Sequence, residues 1–212
     1  KTGYVRLTEF TAPSHREIEA ALDELEDQGM KSLILDLRGN PGGLLDVSVA
    51  ILGEFVPPST EVVFTRGRNP IHNSPPMKTP DRKRRKRDYP MAVLVDRDSA
   101  SASELVAGVL QDLERATIVG EVSYGKGSVQ NILPQGGGTA LRLTIATYHT
   151  PAGRTPHEAG ITPDLEVVIT GEDREIYGLW RRRDSLSPAE SARLESWTDP
   201  VLAAAIKSLA SQ

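Results

Sequence analysis

Apolar and polar positions alternate over Gly3-Tyr-Val-Arg-Leu7, the period-two pattern of a strand. After Pro13 the period lengthens. Ile18, Ala21, Leu22 and Leu25 form one face of a predicted helix. Ser14 and Glu17 provide a Ser-x-x-Glu capping box at its start, and Gly29 its stop. Ser32 to Leu37 is a compact apolar run of the kind buried on both faces. A turn at Arg38-Gly-Asn-Pro-Gly-Gly43 leads into a second predicted helix, Leu44 to Phe55. Further strands are predicted at 61–65, at Met91 to Val95 and at Thr117 to Val119, with a helix from Ala100 to Leu113. Val129 to Leu133 and Thr139 to Tyr148 alternate around a glycine-rich turn at 136–138, which predicts an antiparallel pair. Helix starts at 184–190 and at Val201 to Leu209 close the chain. Strands and helices in this succession predict an α/β domain with a largely parallel sheet. The division expected is a core over 1–168 and a helical extension over 169–212 packed on its edge.

Composition changes this picture little. Of 212 residues, 38% are hydrophobic and 25% charged, as in a soluble globular chain. The absence of cysteine excludes disulfides, thiolate catalysis and thiolate metal sites. The four histidines lack any metal-ligand spacing, so no metal or cofactor is expected. The chain opens on Lys1 and carries no signal-peptide pattern, and is expected to be a fragment of a longer one.

Charge is uneven. Residues 82–87 are six consecutive basic residues, leaving 19 basic against 29 acidic elsewhere. The run lies in a proline-rich stretch, 66–90, without hydrophobic periodicity. It reads as a solvated, mobile loop, and no nucleic-acid partner is expected.

Three stretches fall at strand ends, where ligand sites in open α/β sheets collect. Val95-Asp-Arg-Asp-Ser-Ala-Ser-Ala-Ser-Glu104 places Ser99, Ser101 and Ser103 at a strand-to-helix turn. There a serine serves as a helix cap, with Ser101 and Glu104 as a second capping box, or as a nucleophile beside free helix N–H groups. Both readings share one geometry, and spacing alone does not choose among the serines. Gly120 to Ser128 holds Lys126 between two glycines. It falls short of a phosphate-binding loop, because Gly127 replaces the metal-binding hydroxyl and a strand follows where a helix is required. The turn at 38–43 can offer backbone N–H groups to an anion. A histidine base for the serine would have to be His149, for which no aspartate partner is evident. A lysine serves if burial lowers its pKa from ~10.4 to about 7–8, about 4 kcal/mol of disfavoured charge.

Taken in order, these pieces resemble the C-terminal processing peptidases, or tail-specific proteases. The matching residues are Gly3-Tyr-Val-Arg-Leu7, Leu35 to Leu44, Ser99 to Glu104, Gln111-Asp112, Val119-Gly-Glu121, Tyr124-Gly-Lys-Gly127, Gln130 and Gly160-Ile-Thr-Pro-Asp164. The resemblance spans residues 3–168. It implies a crotonase/ClpP-like α/β core with C-terminal helices, Ser101 as nucleophile, Lys126 as general base on a buried site, and Gln130 orienting the lysine. It implies an oxyanion hole from the N–H groups of Gly43 and Ala102. It also implies a PDZ domain ahead of such a core, without which the core could rest in a latent, peptide-binding form. Substrates would be proteins or peptides with extended C-terminal tails. The setting would be extracytoplasmic (periplasm, cell envelope or thylakoid lumen), compatible with peripheral membrane association. A binding module on a peptidase-like scaffold is an alternative that an intact Ser101, Lys126 and Gln130 disfavour; crotonase-like folds also host acyl-CoA chemistry, which predicts coenzyme A binding.

Overall fold

The computed structural model describes residues 1–81 and 85–210. Its first sheet is wholly parallel, in the order β1-β2-β5-β6-β9. These strands are β1 Thr2–Arg6, β2 Ser32–Asp36, β5 Met91–Val95, β6 Thr117–Gly120 and β9 Leu165–Glu166. The second sheet is antiparallel, in the order β4-β3-β8-β7. It comprises β3 Glu61–Arg66, β4 Met77–Lys78, β7 Ser128–Pro134 and β8 Ala140–His149.

Period-two side-chain direction divides the parallel sheet between two cores. Leu33, Leu35, Met91, Val93, Val95 and Ile118 face the larger core, with Leu22, Ile51, Leu105 and Val109 of the covering helices. Those helices are α1 Ser14–Asp27, α2 Leu45–Leu52 and α3 Ala102–Asp112. The intervening Ile34, Ala92, Leu94 and Val119 face Tyr177, Val201, Ala205 and Leu209. These belong to α4 Gly171–Arg181 and α6 Pro200–Leu209; α5, Pro188–Glu195, lies between them in sequence. The uninterrupted apolar strands are thus explained by burial on both faces.

Local expectations differ in three places. The helix α1 has no Ser14–Glu17 capping box. Ser14 is its first helical residue, and its hydroxyl turns back to the carbonyl of Glu9 at 3.1 Å. Helix α4 has no counterpart in the sequence reading. Its apolar residues, Ile176, Tyr177, Leu179 and Trp180, form one tight cluster among charges, too short to announce a helical period. The third difference is in the basic run, whose residues 82–84 lie outside the described part. Arg87 is not solvated: its side chain is 2% exposed and bonds Glu54 at 2.6 Å, Asp23 at 2.6 Å and Glu26 at 2.8 Å. The acidic flank of α1 supplies two of those partners, so this end of the run is docked on the core.

Candidate active site

The turn from β5 into α3 separates the three serines by burial. Ser99 is fully buried, its hydroxyl donating to Leu37 O at 2.9 Å and accepting from Asp96 N at 2.9 Å. Ser103 is fully buried, donating to Asn40 O at 3.0 Å. Ser101 alone is partly exposed, and its backbone sits at φ 57°, ψ −114°, where L-residues are strained by about 1–3 kcal/mol. Two serines therefore build the turn from within, and Ser101, which forms the expected capping box with Glu104, is the one that reaches the surface.

The glycine loop lies directly against this turn. Asn40 ties the two together. Its carbonyl accepts from Ala100 N at 3.0 Å, and its side-chain oxygen accepts from Gly42 N at 2.8 Å. Gly42 has φ 100°, and a Cβ there would sit 2.7 Å from Ala100 O and 2.8 Å from Ser101 Cβ, so only glycine fits. The N–H groups of Gly43 and Ala102 have no acceptor among the described residues. The Ala102 N–H is at the positive end of the eleven-residue helix α3, where a developing anion is favoured.

Lys126 stands on the turn before β7, across a cleft of about 510 Å³ that it shares with Gly39, Ala100, Tyr124 and Arg181. It is exposed, contrary to the expectation of a buried amine, because the cleft is open on the side of Tyr124. Among the described residues no hydrogen bond joins Lys126 Nζ to Ser101 Oγ. Among the described residues no hydrogen bond joins Gln130 to Lys126 Nζ either. Gln130 lies in β7, whereas Lys126 precedes that strand, so strand alternation does not relate the two; the register irregularity beside Gln130 falls on β8, where Ile145 has no partner. Gln130 is exposed and accepts from Arg142 Nε.

What binds the two halves together is Glu104, fully buried in the first turn of α3. Its Oε2 accepts the backbone N–H of Ser101 and that of Lys126, both at 2.8 Å. Its Oε1 accepts from Gly125 N and from Ser123 Oγ, both at 2.6 Å. The sequence marks Glu104 only as a cap, and its bonds across 19 to 22 residues are invisible to local pattern. Tyr148 of β8 adds a second tie, its hydroxyl 2.7 Å from Ser101 O and 2.9 Å from Lys126 O.

The remaining candidates fall elsewhere. His149 is engaged at both ring nitrogens, with Thr147 Oγ1 at 3.0 Å and Gly153 O at 3.1 Å, and stacks on Phe64. The segment after Lys126 is strand β7, which removes the helix a phosphate loop needs. His15, Glu19 and Glu54 bring three possible metal-ligand atoms within 4.8 Å, a grouping the sequence spacing does not show. There, however, Glu54 already bonds His15 and Arg87 at 2.6 Å each. Gln111 and Asp164 are structural: they bond each other at 2.7 Å, and Asp164 also accepts from Ile118 N of β6.

Residues 1–167 match peptidase family S41. The chain is 43% identical over 166 residues to a carboxyl-terminal-processing protease of Synechocystis sp., covering 78% of this chain and 38% of that protein. It is 45% identical over 171 residues to a carboxy-terminal-processing protease of Bartonella bacilliformis, again covering 78% of this chain and 38% of the relative. Among solved structures it resembles a photosystem II D1 C-terminal processing protease. The TM-score is 0.69 at 32% identity, over 79% of this chain and 42% of that one. The chain thus spans well under half the length of these relatives.

Proposed function

The chain belongs to peptidase family S41, and from that premise we propose that it is the catalytic core of a serine endopeptidase cutting peptide bonds near protein C-termini, with Ser101 as nucleophile and Lys126 as general base. The observation that carries this reading is the shared anchorage on Glu104: one buried carboxylate oxygen holds the backbone of both residues.

Ser101 Oγ attacks the scissile carbonyl carbon while its proton passes to the neutral amine of Lys126. The Gly43 and Ala102 N–H groups receive the oxyanion. The C–N bond then breaks, and Lys126 returns the proton to the leaving amine. Water, deprotonated by the same amine, cleaves the resulting ester and regenerates Ser101. Since Lys126 faces solvent in the free chain, the substrate itself supplies the desolvation that favours a neutral amine, by covering the cleft. Strand β7 is an edge of the second sheet and begins just after Lys126, so an extended tail added alongside it would lead into the site. The partners are accordingly protein or peptide tails, and the setting proposed is extracytoplasmic.

A second reading has its own support. With Lys126 exposed and Gln130 engaged by Arg142, the free chain rests in a latent arrangement.

Fluorophosphonate labelling with peptide mapping tests the assignment. The label is expected on Ser101, with hydrolysis of a tail peptide lost in Ser101→Ala. Hydrolysis undiminished in Ser101→Ala refutes the reading.

A further inference from the structure

The turn that carries Lys126 is held by its surroundings. Gly125, at φ 92°, and Gly127 flank the lysine, and a Cβ at Gly127 would sit 2.7 Å from His157 N, so the loop packs closely there. The nucleophile has a strained backbone that would relax if its peptide groups could rotate. A general base must nevertheless meet its nucleophile within a few tenths of an ångström.

Glu104 fixes the two residues only through their N–H groups. The Ser101 carbonyl also takes the first intrahelical bond of α3, from Leu105 N at 2.9 Å, and both carbonyls lie within reach of a different residue. Tyr148 is 6% exposed, with its ring in the larger core. Its own N–H donates to Gly127 O at 2.9 Å, and its hydroxyl lies within hydrogen-bond reach of Ser101 O and of Lys126 O. One side chain therefore holds the turn at Lys126 and Gly127 and reaches across to the helix start. Packing does not require the oxygen, since phenylalanine fills the same ring space. A buried hydroxyl is unfavourable without a partner. Burial and the charge of Glu104 hold the phenol well above its usual pKa, so it keeps the proton it donates.

We propose that Tyr148 is a positioning residue of the Ser101–Lys126 site, its one hydroxyl proton shared between the two peptide carbonyls that carry the nucleophile and the base. The proposal rests on the peptidase reading for its catalytic consequence, and on geometry alone for its structural one. Tyr148 touches no reacting atom. Its contribution is to stop the Gly-Lys-Gly turn from drifting away from the strained serine.

The test is Tyr148→Phe in the full chain, read by tail-peptide kinetics, melting temperature and amide hydrogen exchange over residues 124–128. The expected result is a kcat lower by roughly ten- to a hundred-fold, the scale of a small misplacement of reacting groups. KM should stay within about twofold. Exchange at the turn should quicken while the sheet core stays protected. Wild-type kcat, or a loss of kcat with no change in turn exchange, overturns the positioning role. An equal rise of exchange throughout the core would make Tyr148 a general stabiliser and overturn it too. A wild type inert towards all tail peptides would instead defeat the peptidase reading, and turn exchange in Tyr148→Phe would still decide whether the hydroxyl holds the turn.

Discussion

Glu104→Gln exchanges one oxygen for an NH2 group with almost no change of shape, in the side chain that bonds the backbone N–H groups of both Ser101 and Lys126. The four donors around the carboxylate leave no good orientation for an amide. If the amide nitrogen took the place of Oε2, it would face two backbone donors, Ser101 N and Lys126 N. The amide oxygen must therefore stay there, and the nitrogen faces Gly125 N and Ser123 Oγ. Ser123 Oγ already accepts from Ile161 N at 2.7 Å, and its own proton would lose its acceptor. One orphaned backbone donor costs about 1–3 kcal/mol, and weakening charge-assisted bonds to neutral ones adds about 1 kcal/mol more. A total of about 3 kcal/mol corresponds to a melting temperature lower by roughly 6–12 °C in a chain of this size. Differential scanning calorimetry reads that shift. Tail-peptide hydrolysis well below the transition should show a further loss of kcat, because both anchored N–H groups gain freedom. A variant that melts within about a degree of the wild type at full kcat would show that Glu104 holds nothing together.

Two other substitutions test separate parts of the account. Gly42→Ala places a Cβ against Ala100 O and Ser101 Cβ at a backbone angle of φ 100°. It should cost at least about 2 kcal/mol and reduce kcat more than stability explains, since the displaced neighbour is Ser101; an active, unshifted variant would contradict the close packing of the glycine loop. Arg87→Met strips a guanidinium from the buried Glu54 and from Glu26, which should cost about 3 kcal/mol. Its folded fraction should keep its kcat, and a melting temperature like the wild type's would restore the reading of 82–87 as a solvated loop.

The parallel sheet was legible because burial on both faces writes itself into continuous apolar runs such as Leu33 to Leu35 and Met91 to Val95. The β7–β8 hairpin was legible from alternation around Gly136 to Gly138. The chemistry was legible only as a set of residue types at strand ends. Choosing Ser101 from sequence took a family resemblance, because what removes Ser99 and Ser103 is bonding to Leu37 and Asn40, some sixty residues away. The exposure of Lys126 could not be read from two flanking glycines, since burial depends on what lies across the cleft. The expected Lys126–Gln130 pairing assumes one continuous strand, whereas β7 begins only at Ser128, after the lysine. Tyr148 read as an ordinary apolar strand position, and its hydroxyl's role emerges only where β8 meets the start of α3.

The most direct test of the Ser101–Lys126 pairing is a double-mutant cycle on tail-peptide hydrolysis, with His149→Ala as a control. Ser101→Ala, Lys126→Ala and the double variant should fall to one common residual rate, because two groups acting as a unit lose their effect together. His149→Ala should leave kcat within about twofold, since the His149 imidazole is committed to Thr147 and Gly153. Lys126→Ala retaining most of the wild-type rate, with the loss appearing in His149→Ala, would contradict the account.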